Sequence, residues 1–141
     1  MSIQNLQPAT LPRRLAAILY DLILLSAVLF VASIPVVVGF RITYGGPYYG
    51  YYQAYLFVLS FLYFGWFWVH GGRTLGMTSW GVRLVSTRYP TITWSQALLR
   101  FVFAIISWLA LGLGFFWSLL RSDHATWHDL ISETALIREI Q

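Results

Sequence analysis

Between Leu15 and Phe40 a single charged side chain, Asp21, interrupts an otherwise apolar run. A bilayer-spanning helix needs about 20 predominantly apolar residues, and this stretch exceeds that length. Two further segments, Tyr51–Val69 and Phe101–Leu120, have similar length and character. Soluble domains carry about 25% charged residues, whereas this chain of 141 residues has 10%, with 58% hydrophobic residues and a mean hydropathy of +0.66. The expected fold class is therefore an all-α integral membrane protein, one domain over residues 1–141. It has three hydrophobic segments, with a small surface hairpin on the cytoplasmic side.

Asp21 is expensive where it stands. A charged side chain at the centre of a membrane helix costs roughly 2.5–3.5 kcal/mol on insertion scales, so such residues are paired, buried in a bundle or functional. Arg14 lies seven residues earlier. That is close to two helical turns, which puts both side chains on one helix face about 10 Å apart along the axis.

The remaining charges speak to orientation. The net charge of +4 comes from arginines alone, and they flank the apolar segments. The positive-inside rule accounts for them without nucleic acid as a partner; the bilayer itself is the expected partner. Arg13 and Arg14 mark a cytoplasmic entry, giving a multi-pass inner-membrane protein with its N-terminus inside. The first run is too long for the core of a signal peptide and lacks a small-x-small cleavage site, so it reads as a retained span. With no cysteine, disulfides, thiol catalysis and cysteine-ligated metals are excluded.

Pro35 is placed to kink or stop the first helix near its far end. The connection from Arg41 to Tyr52 turns at Gly45, Gly46 and Pro47 and holds five tyrosines, as expected of rings anchored at headgroup depth. The longest polar stretch, Gly71–Ser95, contains Arg73, Arg83 and Arg88, which places it in the cytoplasm. Within it Val82–Ser86 and Thr91–Trp94 look extended, joined across Thr87–Pro90 as a β-hairpin on the membrane surface. Ile131–Ile137 alternates as a strand does and is a candidate addition to that hairpin. The third apolar segment has two readings. Its length suits a crossing. The turn-forming Gly112 and Gly114, and the arginine asymmetry, which becomes eight inside against one outside if the chain returns, favour a re-entrant hairpin.

The candidate polar cluster is Arg14, Asp21 and Asp129, with Arg100 and His128 beside them. Arg100 opens the third segment, where it faces Asp21 or Asp129 or simply flanks the helix. His124 and His128, four residues apart, share a helix side, but no third ligand has diagnostic spacing, so neither a metal nor a cofactor is expected. Gly71-Gly72-Arg73-Thr74 lacks the lysine and glycine spacing of a phosphate-binding loop. An intramembrane aspartyl hydrolase needs two carboxylates close together, and Asp21 is the clear candidate inside. The chain is not expected to be an enzyme.

The stretches PRRLAAILYDLILL, GGRTLGMTSWGVRLVS, ALLRFVFAIISWLALGLGFFWSLL and TWHDLISETALI, in that order, resemble the RDD family of bacterial membrane proteins, named for one arginine and two aspartates. On that pattern the arginine is Arg14 and the aspartates are Asp21 and Asp129. Two positions depart from it: Arg73 stands where the family usually has glutamine, and Leu130 follows Asp129 where a basic residue is usual. The resemblance implies a small membrane protein for which transport, including sodium/proton antiport, has been suggested. Two functions follow as expectations. One is a transporter or transporter subunit for a small ion, proton-coupled, with Asp21 as the titrating group; three helices enclose little volume, so it needs a homo-oligomer or a larger partner. The other is a non-catalytic subunit or assembly protein of a larger membrane complex, with a structural polar cluster.

Overall fold

The computed structural model describes residues 7–110, residue 120 and residues 126–138, without the side chains of Trp127 and His128. Helix α1 spans Leu11–Phe40 and α2 spans Tyr49–Gly71. At 1.5 Å per residue these 30- and 23-residue helices are about 45 and 34 Å long, against a hydrocarbon core of about 30 Å. Both are long and apolar enough to cross a membrane. Pro12 sits in the first turn of α1, where its missing N–H leaves no bond unmade. Pro35 does not stop the helix, which continues to Phe40 and ends at Arg41 in the left-handed conformation, φ 48°.

The buried residues of α1 are Arg14, Ala17, Asp21 and Leu25, a single stripe at helical spacing. The rest of its surface is apolar and open, with Phe30 and Val38 each 71% exposed. Such a surface is hidden from water only by lipid or by another protein. Past Leu25, α1 meets α2 through two phenols: Tyr52 Oη donates to Ser33 Oγ at 2.8 Å and Tyr55 Oη to the Ala32 carbonyl at 3.2 Å. Tyr44, Tyr48 and Tyr51 point outward, so the tyrosine-rich turn combines exposed rings with one that ties the helices together.

The core lies at the opposite end, where Ala9, Ala17, Trp68, Met77, Val82, Leu84, Ala97, Phe101 and Leu136 pack together. Gly72 closes α2 at φ 66°, and its carbonyl accepts from the Leu84 N–H at 2.6 Å, folding the following segment back. The short helix α3, Leu75–Ser79, is capped by Thr74, whose Oγ1 accepts from the Met77 N–H at 3.2 Å. Strand β1, Val82–Ser86, follows, then α4, Trp94–Leu109, α5, Trp127–Ile131, and β2, Thr134–Arg138.

The expected surface hairpin is corrected by the sheet. β1 pairs antiparallel with β2, with Val82 opposite Arg138, Leu84 opposite Leu136 and Ser86 opposite Thr134. Thr91–Trp94 is drawn away by a capping box: the Thr93 side chain accepts from the Gln96 N–H, while the Gln96 side chain accepts from the Thr93 N–H. The alternating tail supplies the partner strand instead, and the N-terminal lead borders it. Ala9 N–H donates to the Leu136 carbonyl at 3.0 Å and Arg138 N–H to the Gln7 carbonyl at 2.8 Å. Both described ends of the chain therefore meet at one end of the structure.

The third apolar segment begins earlier than expected, because the capping box starts α4 at Trp94. Phe101 packs edge-on against Phe57 and tilted against Phe61, with ring centroids 5.5 Å apart in each case. Gly65 admits Trp94: a Cβ there would lie 2.9 Å from the Trp94 ring. Sixteen helical residues reach about 24 Å, short of a full crossing. Gly112 and Gly114, where the re-entrant turn is expected, lie outside the described residues.

Candidate functional site

Asp129 is the hub of the buried charges. It stands on α5, and its Oδ2 accepts from the Thr126 N–H at 3.0 Å, an arrangement that fixes the start of this one-turn helix. Arg14 reaches the same oxygen from the first turn of α1 at 2.7 Å, and Arg100 donates from α4 to Oδ1. Both guanidinium groups have further partners: Arg14 Nε donates to the Ala9 carbonyl at 2.9 Å, and Arg100 to Thr134 Oγ1 at 3.0 Å. Arg100 also lies over Trp68, its Cζ 5.5 Å from the ring centroid. One carboxylate thus joins the chain's beginning, its third apolar helix and its tail, in surroundings where all three side chains are 4% exposed or less.

Asp21 is held separately. Its partners are the Thr74 hydroxyl on Oδ2 and the Gly76 N–H on Oδ1, the latter at 2.9 Å. Gly76 makes this possible: a Cβ there would sit 2.3 Å from the Ala17 carbonyl oxygen and 2.8 Å from Asp21 Oδ2. The glycine brings the backbone of α3 against α1, and the backbone N–H then does work that a charged side chain was expected to do. Asp21 is buried at 2% exposure, on the same face as Arg14, but the two are not an ion pair.

The expected cluster is therefore divided. Arg14, Arg100 and Asp129 come together; Asp21 stands apart with Thr74 and Gly76. His128 belongs to α5, but its side chain, like all of His124, lies outside the described residues. Among the described residues no three histidine or acidic side chains gather as metal ligands do. Thr74, Gly76, Thr126 and Thr134 complete the site and were not singled out in the sequence. A threonine shortly before a helical turn carries a capping signal, yet nothing local announces a partner 53 residues away.

Two arginines and two aspartates are buried here, so their formal charges, +2 and −2, cancel. Charges removed from water are tolerated when paired and hydrogen-bonded, and losing one partner of such a pair is costly. Arg14, Asp21 and Arg100 also line a cavity of about 320 Å³ between α1, α2 and α4, whose other described walls are almost wholly apolar.

Neither a curated protein nor a solved structure matches the chain. The model of the RDD family matches residues 8–133, from the lead that borders the sheet to the turn before β2, and the chain belongs to that family.

Proposed function

We propose that the chain is a non-catalytic membrane subunit or assembly protein that packs against a larger membrane complex, with its buried charges acting as a structural lock. The observation that carries this reading is the self-sufficiency of the cluster. Asp129 is paired with two guanidinium groups, Asp21 accepts from Thr74 and Gly76, and the formal charges balance only over all four side chains. Phe30, Val31 and Val38 on α1, with Phe57 and Trp66 on α2, leave a broad apolar surface for lateral contacts. The protein acts in the bacterial inner membrane with its N-terminus in the cytoplasm.

Photo-crosslinking residues placed at Phe30 and Val38 of the full chain, in the native membrane, test this. The expected result is one discrete protein adduct, with lower recovery in Asp129→Asn. Diffuse lipid adducts alone would count against it.

A second reading has one observation in its favour: Asp21 lines the cavity. An acid at that place suits proton-coupled transport of a small ion, with Asp21 as the titrating group in a homo-oligomer. Proteoliposomes of the purified chain separate the two. Cation-dependent proton exchange that vanishes in Asp21→Asn would establish transport and overturn the lock reading.

A further inference from the structure

The cavity between α1, α2 and α4 has the build of a lipid site. Along α2 its walls run from Phe57 to Trp68, eleven residues or about 16 Å, so it is elongated along the helix axis. Its volume of about 320 Å³ falls within the size range of small-ligand sites. Leu22, Leu25, Phe101 and Ile105 form its apolar walls. Along these apolar walls water would lack the two to four polar partners it needs, whereas a hydrocarbon chain needs none.

The polar end adds a specific requirement. Trp68 lines the cavity, is 6% exposed, and its Nε1–H has no hydrogen-bond partner among the described residues. A buried indole N–H usually finds an acceptor, and leaving one unmade is costly. Indole nitrogen is a donor only, and the neighbouring Arg14 and Arg100 are donors as well. The missing group is consequently an acceptor. An ester carbonyl has that character, and in a phospholipid it sits at the head of a long apolar chain.

We propose that this cavity binds one phospholipid of the surrounding bilayer, its acyl chain along the apolar walls and an ester carbonyl accepting from Trp68 Nε1. The site is independent of whether the chain transports ions or supports a complex.

Native mass spectrometry of the full chain, purified in mild detergent and supplied with phosphatidylglycerol, tests the proposal. Wild type retains one phospholipid after washes that strip the rest. Trp68→Phe keeps an aromatic ring but loses the donor, and should weaken retention about three- to tenfold. Ala104→Trp fills the cavity and should abolish retention; circular dichroism confirms that each variant is helical. If Ala104→Trp fails to fold, Trp68→Phe alone decides. No retained lipid in wild type, equal retention in Trp68→Phe, or a retained free fatty acid in place of phospholipid would overturn the proposal.

Discussion

Asp129→Asn changes one atom and should cost most of what a buried ion pair can cost. The carboxylate accepts on both oxygens: Arg100 on Oδ1, and Arg14 together with the Thr126 N–H on Oδ2. Asparagine must turn its NH2 towards one of these sides. Facing Arg100, it sets donor against donor; facing Arg14, it does so twice, because the Thr126 N–H is also there. Either orientation leaves two buried guanidinium groups without an anion between them. Removing one partner of a buried pair typically costs about 3–5 kcal/mol. A domain's total stability is only about 5–15 kcal/mol, so the variant should be scarce in the membrane as well as labile. Equilibrium unfolding in mixed micelles, with helicity and tryptophan fluorescence as coincident probes, measures the loss. Asp21→Asn makes the control, since asparagine can still accept from the Gly76 N–H while its NH2 donates to Thr74 Oγ1. It should lose clearly less. A loss below about 0.5 kcal/mol for Asp129→Asn, the range of ordinary surface substitutions, would refute the lock.

Gly76→Ala should destabilise by about 1–3 kcal/mol, the usual cost of forcing atoms into packed space, because its Cβ would meet the Ala17 carbonyl at 2.3 Å; the same unfolding assay checks it. Thr74→Val, close in shape but without the hydroxyl, should lose about 1–3 kcal/mol through the unsatisfied Asp21 and the missing cap. Tyr52→Phe should lower stability by only about 0.6 kcal/mol, the average worth of a hydrogen bond between membrane helices. The pair of Arg88 and Glu133 is exposed, at 3.2 Å. Glu133 raises the Arg88 value further above neutral, but solvent screens the contact, and Arg88→Ala should leave the melting temperature unchanged.

The long helices were legible because hydrocarbon imposes length and composition on a span, and both survive as simple runs in the sequence. Asp21 and Arg14 were visible as charges out of place, and their shared face followed from helical periodicity alone. The Asp21 partners, Thr74 and Gly76, were not visible, and Asp129 entered the expected cluster beside Arg14 only through the family pattern. Asp129 lies 115 residues from Arg14, and a pairing of that range is settled by how the tail folds back. The backbone N–H of Gly76 carries no side-chain signature at all. The misassigned hairpin has a local cause: Thr91–Trp94 looks extended in isolation, but Thr93 and Gln96 cap a helix. Once α4 takes those residues, β1 needs another partner, and the alternating tail has the right pattern.

A lock between Arg14 and Asp129 requires both ends of the chain on one side of the membrane. Paired reporters, one active only in the cytoplasm and one only in the periplasm, fused at Met1 and at Gln141 of the full chain, measure this directly. Cytoplasmic signal from both termini is the predicted result. A cytoplasmic N-terminus with a periplasmic C-terminus would place Asp129 across the bilayer from Arg14 and contradict the lock.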